Sequence, residues 1–235
     1  MSYHHGLNVE KNGLIIYWDA ANPKSYSSGS VSCYNLCGPS YQAVLTGSLA
    51  FNPTSSRGAW KFGTTGDYLD TTTYSDTDAL RYRTTNAWFK QTGTNNGAFS
   101  SVACIMSADY NPQTEIRTYS TSATQNTASL VVQTDTTSNL IQSPISRGVW
   151  YMGTVVETSA GGDNLLFYIN GGLVGVASRS GSTYQYAADK VRVGMQKLTS
   201  ARTFNGDIAM FMLYNRPLSS VEVASLYDAT KGRFS

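Results

Sequence analysis

Short apolar or alternating runs, each closed by turn-forming residues, recur along this chain and leave room for little except antiparallel strands. They fall at Trp60 to Phe62, Tyr68 to Asp70, Asn86 to Lys90, Val102 to Met106, Glu115 to Tyr119, Ser129 to Gln133, Trp150 to Val156, Leu165 to Ile169, Leu173 to Ala177, Lys190 to Gly194 and Ile208 to Tyr214. Side chains alternate along a strand, so Trp150, Met152, Thr154 and Val156 share one face and Tyr151, Gly153 and Val155 the other. Both faces of that strand are apolar enough to be covered. Leu14 to Trp18 is likewise apolar on both faces and is broken by Asp19-Ala20-Ala21-Asn22-Pro23, which predicts a central or covered first strand. Between Leu165 and Val176 the Asn170-Gly171 pair supplies the positive φ angles of a tight primed turn, which predicts a hairpin whose turn fixes its register.

One segment reads as a helix. In Leu218 to Tyr227, Ser219 is the N-cap and Glu222 the third helical residue, a capping box, while Leu218 and Val223 are spaced to form a hydrophobic staple. Val223, Leu226 and Tyr227 then share a face, which predicts a short helix on the sandwich edge with that face inward. No repeat of 20 to 50 residues is present, which argues against propellers and solenoids. The expected fold is all-β: a two-sheet antiparallel β-sandwich with one short C-terminal helix. Residues 1–12 form a polar N-terminal arm, 13–230 the sandwich and 231–235 a C-terminal tail.

Charged residues make up only 14% of the 235, well below the roughly 25% of average domains, so neutral hydroxyls and amides must cover much of the surface. A net charge of +2 with no two basic residues adjacent gives no footprint for nucleic acid or an anionic membrane. No run approaches the roughly 18 apolar residues of a membrane span, and the start lacks the pattern of a signal peptide. Cys33, Cys37 and Cys104 are odd in number, and no Asn-x-Ser/Thr sequon occurs. The expectation is cytoplasmic synthesis, with cysteines that are structural or free rather than zinc ligands.

Several segments resemble the concanavalin A-like lectin/glucanase superfamily in its laminin-G-like form, which is common in bacteriophage and bacterial surface proteins. They are GLIIYWDAANPKSY at the start, WKFGTTGDYLD at 60–70, TTNAWFK at 84–90, GVWYMGTVV at 148–156, LLFYINGGLVG at 165–175, VRVG at 191–194 and FNGDIAMFMLYNRPLSSVEVASLYD at 204–228. The resemblance implies a concanavalin A-like jelly roll, an architecture shared by lectins, adhesion modules, glucanases and virion decorations, so it does not fix function. Combined with the cysteine usage and the arm, it leads to the expectation of a non-enzymatic phage virion surface component. Such a component could be a capsid decoration, head fibre or tail-associated lectin-like module, with other virion proteins and copies of itself as partners. A free-standing carbohydrate-binding adhesin is the alternative, and a glycoside hydrolase a weaker one.

Glycoside hydrolysis needs two carboxyl groups, and the superfamily's enzymes carry roughly Glu-x-Asp-x-x-Glu on one strand. Here Glu10, Glu115, Glu157 and Glu222 have no acid two residues away, and Asp76 and Asp78 read as loop residues. Both histidines precede the sandwich, so no Ser-His or Cys-His site is expected. Asp67, Asp163 and Asp207 stand beside glycines, where a turn role outweighs a structural calcium, because no clustered hard-cation loop exists. No cofactor is expected. For a polysaccharide ligand the candidates are Tyr184 and Tyr186, on one face of a strand, with Asp163 and Asn164 as polar neighbours. For subunit contact the candidates are Tyr3, His4 and His5 in the arm.

Overall fold

The computed structural model describes residues 9–63, 66–71, 82–93, 99–107, 112–119, 127–133, 141–159, 164–178, 188–196 and 202–234. In chain order the strands are β1 (Leu14–Asp19), β2 (Ser32–Cys33), β3 (Ala43–Thr46), β4 (Ala50–Asn52), β5 (Ala59–Phe62), β6 (Tyr68–Thr71), β7 (Thr84–Gln91) and β8 (Phe99–Ser107). They continue with β9 (Pro112–Tyr119), β10 (Thr127–Gln133), β11 (Ile141–Ser146), β12 (Trp150–Thr158), β13 (Asn164–Ile169), β14 (Gly172–Ser178), β15 (Ala188–Val193) and β16 (Gly206–Tyr214), before the helix α1 (Ser220–Thr230). The first sheet runs β14-β13-β12-β7-β16-β5-β4, with β1 also on β16, and the second runs β11-β10-β9-β8-β15-β6-β3-β2. All of these ladders are antiparallel, so the expected two-sheet sandwich with one C-terminal helix is the fold.

The inward residues of both sheets fill one core. Trp18, Trp60, Phe62, Phe89, Phe167 and Phe211 of the first sheet meet Leu69, Val102, Ile116, Val191 and Val193 of the second. β1 is covered on both faces as its composition requires, because Ile16 and Trp18 enter this core while Leu14 and Tyr17 turn to a second cluster outside the first sheet. Its edge away from β16 is closed by a side chain. The Asn35 carboxamide accepts from the Tyr17 amide at 2.8 Å and donates to the Ile15 carbonyl at 2.8 Å, standing in for a neighbouring strand.

The hairpin forms as Asn170-Gly171 dictates, with φ of 51° and 80°. Its register does not stay simple, since a bulge on β14 shifts the pairing between Phe167 and Tyr168. The helix is capped as expected: Ser219 Oγ accepts from the Glu222 amide at 3.2 Å, and the Glu222 carboxylate accepts from the Ser219 amide at 2.7 Å. Its position, however, is not the edge. It lies on the outer face of the first sheet, where Val223 and Leu226 join Trp88, Met152, Val156, Met210, Met212 and Tyr214. The sheet faces outward with apolar side chains there, and only a further layer can remove them from water.

Residues at both ends complete that layer. Val9 is buried in it, the Tyr214 hydroxyl donates to the Glu10 carbonyl at 3.1 Å, and Phe234 stacks on Trp88 at 4.0 Å between ring centroids. Arg233 pairs with Asp19 at 2.6 Å and donates to the Ser56 and Gly58 carbonyls.

The Arg216 guanidinium grips Glu222 at 2.6 Å and holds its carboxyl down at about 2. Because this folded-state value lies below the unfolded one of about 4.3, the contribution is present at neutral pH and fades as pH falls from about 4 towards 2. The pair is partly solvated, so Glu222→Gln, which keeps an N3 acceptor, should cost only about 0.5 kcal/mol at pH 7. Thermal midpoints of the two proteins should converge by pH 2 and in high salt.

Candidate functional site

The outer face of the second sheet carries a row of polar side chains that the ladder register brings together from four separate strands. Leu69, Val191, Val193 and Ile116 point into the core, so their chain neighbours Asp70, Arg192 and Glu115 must point out. Arg192 is the register partner of both Asp70 and Cys104, and Cys104 is the partner of Glu115. The row therefore reads Asp70, Arg192, Cys104, Glu115 across β6, β15, β8 and β9. Arg117 shares the Glu115 face two residues on, opposite Ser101, and Lys190 shares the Arg192 face.

The row is solvated at one end and closed at the other. Tyr68, Asp70 and Lys190 are half-buried, whereas Arg192, Cys104, Glu115 and Arg117 are buried. At the open end Arg192 bonds Asp70 at 2.6 Å, Lys190 approaches the same carboxylate at 3.6 Å, and the Arg192 guanidinium lies 4.0 Å over the Tyr68 ring. This is a fixed acceptor, two donors and an aromatic ring within one patch. At the closed end burial pushes the Glu115 carboxyl up, opposed by Arg117 at 3.7 Å, and the same burial pulls Arg117 down. Arg202, hydrogen-bonded to Gln196, adds positive potential to both. Burial also raises the Cys104 thiol, whose Sγ donates to the Met195 carbonyl at 3.7 Å, so this cysteine is a packed, un-ionised side chain.

The two acids of the row stand three inter-strand spacings apart, about 14 Å at roughly 4.8 Å each. Hydrolytic pairs need about 5 to 9.5 Å with open space for a glycosidic oxygen, and here a guanidinium and a thiol fill the interval. The row can bind hydroxyl-rich or charged groups, but its two acids are not set to act on one bond.

Of the sequence-derived site residues, Asn164 is described: it opens β13, half-buried, opposite Thr158 and Ser178. Tyr184, Tyr186 and Asp163 lie outside the described residues, as do Tyr3, His4 and His5 and the pair Asp76 and Asp78. Asp67 is spent on the chain itself, with Oδ1 accepting from the Ser48 amide at 2.8 Å and Oδ2 from the Gly63 amide at 3.2 Å. Asp207 accepts from Ser55 Oγ at 2.6 Å and pairs with Lys90 at 3.0 Å. Both act as turn and packing anchors. Cys33, Cys37 and Cys104 are free thiols. The row itself escapes sequence inspection because its members are up to 122 residues apart. Its local signal is polar-apolar alternation, in Glu115-Ile116-Arg117 and Lys190-Val191-Arg192-Val193.

Residues 62–224 match the laminin-G-like family described as the concanavalin A-like lectin/glucanases superfamily. No curated protein matches the chain in sequence. Among solved structures, a heptameric SAP-like pentraxin from Limulus polyphemus is 19% identical with a TM-score of 0.56, over 70% of this chain and 78% of the pentraxin. The binding domain of botulinum neurotoxin DC, in complex with rat synaptotagmin II, is 14% identical with a TM-score of 0.66 over 92% of this chain and 51% of its own. Trypanosoma rangeli sialidase in complex with sialic acid is 12% identical with a TM-score of 0.70 over 97% of this chain and 34% of the sialidase. The chain thus spans about half of the neurotoxin domain and a third of the sialidase, and at these identities the likeness is one of fold.

Proposed function

Because the chain belongs to the concanavalin A-like lectin/glucanase superfamily, we propose that it is a non-enzymatic binding module that takes a glycan at the open end of the polar row. The observation that carries this is the patch of Tyr68, Asp70, Lys190 and Arg192, in which a ring, a carboxylate acceptor and cationic donors are held by strand register rather than by loops. Sugars present hydroxyl rims to such donors and acceptors and CH faces to rings. The separation of Asp70 from Glu115 favours recognition over hydrolysis. Neurotoxin binding domains of this fold in complex with SialylT and with rat synaptotagmin II support a glycan or a receptor as the kind of ligand.

A glycan array on the full chain, followed by calorimetry on its best ligand, tests the proposal. Tyr68→Ala and Lys190→Ala should each weaken binding about tenfold, roughly 1.4 kcal/mol, with the thermal midpoint little changed. Absence of any glycan signal, wild-type affinity in both variants, or release of reducing ends from the ligand would each overturn it.

We assign the module to the surface of a phage virion, as a capsid decoration, head fibre or tail-associated component made in the host cytoplasm. Support comes from the three free thiols, the neutral polar composition and residues 9–12, whose Glu10 and Asn12 carbonyls accept from Tyr214 and Arg216 at the outer layer. Mass spectrometry of purified particles should find the chain in stoichiometric copies. Its confinement to the soluble fraction of producing cells would contradict this assignment without touching the glycan proposal.

A further inference from the structure

The line of outward side chains does not stop at Asp70. Val44 on β3 is the register partner of Asp70 on one side and of Ser32 on the other, so the row continues across the outer face of the second sheet. Ala43 and Cys33 enter the core and Leu45 packs against it, so Val44 and Ser32 point away from it. Val44 therefore stands one inter-strand spacing, about 4.8 Å, from Asp70 of the proposed glycan patch. On the same face Thr46 is opposite Tyr68, the ring of that patch. An isolated exposed valine is ordinary on a protein surface. This one, 38% exposed, is continuous with a binding patch, and Tyr34 borders it on the far side. That tyrosine is 51% exposed, one residue beyond β2, and diagonal to Val44, where side chains start about 7 to 8 Å apart and a ring spans the gap.

The extended face has two chemically different halves. β6 and β15 supply Asp70, Lys190 and Arg192, whereas β2 and β3, Ser-Cys and Ala-Val-Leu-Thr, carry no charge. Resting on the glycan reading, we infer that Val44 and Tyr34 form a second subsite. It takes a methyl-bearing sugar, an acetamido or a 6-deoxy sugar, next to the unit held at Tyr68, Asp70, Lys190 and Arg192. A sugar hydroxyl laid on the Val44 isopropyl group loses its water and gains no hydrogen bond, which costs free energy. A methyl group in the same place takes apolar surface out of water on both sides, and the Tyr34 ring offers it a second apolar wall. Ser32 and Thr46, neighbours of Val44 on this face, remain to serve the hydroxyls of the same sugar. Acetamido and 6-deoxy sugars share the methyl group and differ in what carries it, an amide or the ring carbon itself. The charged half fixes the ligand by hydrogen bonds, and the uncharged half selects which sugar lies beside it.

Matched glycans titrated into the full chain test it. One pair is triacetylchitotriose against cellotriose, which differ in acetamido for hydroxyl at C2. The other is an L-fucosyl against an L-galactosyl trisaccharide, which differ in methyl for hydroxymethyl. In at least one pair the methyl-bearing member should bind the wild type about fourfold tighter, the effect of one buried group of that size. A response in the first pair alone identifies an acetamido sugar, and in the second alone a 6-deoxy sugar. Val44→Thr keeps the β-branched shape that suits a strand and exchanges one methyl for a hydroxyl, so it should level the responding pair at an unchanged thermal midpoint. Tyr68→Ala should instead weaken both members alike. A wild type that binds other glycans and neither pair, equal affinity within both pairs, or a Val44→Thr variant that keeps the wild-type preference would overturn the inference. Binding that depends on Tyr68 and Lys190 without any methyl preference refutes this subsite and leaves the glycan reading standing. A chain that binds no glycan removes both.

Discussion

Glu157→Ala is expected to destabilise the folded chain by about 3 to 5 kcal/mol, because it withdraws the carboxylate from a guanidinium that stays buried. Glu157 is on β12 next to Val155, on the face that enters the core, and its Oε1 lies 3.0 Å from Arg83 Nε with both side chains almost wholly out of water. Thr114 of the opposite sheet also donates to Oε1, so this carboxylate is a polar link between the two layers. The partners cannot drift apart to find water, since the Glu157 amide donates to the Arg83 carbonyl at 2.8 Å and fixes the two backbones together. The penalty should therefore appear in full in denaturant midpoints at an unchanged slope. Glu157→Gln keeps an acceptor for Thr114 and should lose less. Replacing both partners by apolar residues, Arg83→Met with Glu157→Leu, should recover most of the stability or exceed it, because the desolvation cost of both charges disappears together. A loss below about 1 kcal/mol for Glu157→Ala would mean that water reaches this end of the sandwich.

This pair also marks where sequence reasoning stops. Alternation in Trp150 to Val156 is enough to assign a strand covered on both sides, and Asn170-Gly171 and the Ser219/Glu222 box are local chemistry that fixes a turn and a helix start without help from the rest of the chain. Continuing the same alternation by one residue turns Glu157 inward, but nothing nearby in sequence shows that Arg83, 74 positions earlier, will meet it. The short strands β2, β3 and β4 are invisible for a related reason. They are two to four residues long, too short for alternation to show even where Val44, Thr46 and Phe51 favour a strand, and they form because β2 pairs with β3, β3 with β6 and β4 with β5. The apolar stripe of the helix predicts its inward face correctly and its surface wrongly, since it covers the outer face of the first sheet and not the sandwich edge. An apolar stripe states that something must be covered, not which surface covers it. The clue was on β16, where Met210, Met212 and Tyr214 alternate with Phe211 and Leu213, so that both faces of a central strand demand a partner layer. The polar row suffers most from distance, because Asp70, Cys104, Glu115 and Arg192 become neighbours only once the strand order is known.

That outer layer makes the second large prediction, for Trp88→Ala. Trp88 projects from β7 into the space between the sheet and the C-terminal segment, where Phe234 stacks on it with rings 13° from parallel and Tyr227 lies 5.8 Å away. Its indole N–H donates to Thr230 Oγ1 at 2.9 Å, and that hydroxyl in turn donates to the Leu226 carbonyl at 2.8 Å, so one side chain ties the ring system to the last turn of the helix. Truncation should cost about 3 to 5 kcal/mol, from the lost burial and the cavity left beneath the helix. Phe234→Ala removes one partner from the edge of the same stack, and its penalty should be nearer 1 kcal/mol, the range of a single aromatic pair. The two variants should also differ in which residues respond. In Phe234→Ala, faster amide exchange should be confined to residues 230–234, because Arg233 still holds Asp19 and the Ser56 and Gly58 carbonyls. In Trp88→Ala it should extend through Ser220–Thr230 and into β16, whose Met210 and Met212 lose the same cover. Equal exchange patterns in the two proteins would show that the C-terminal segment is held by Arg233 alone and that the helix keeps its place without the indole.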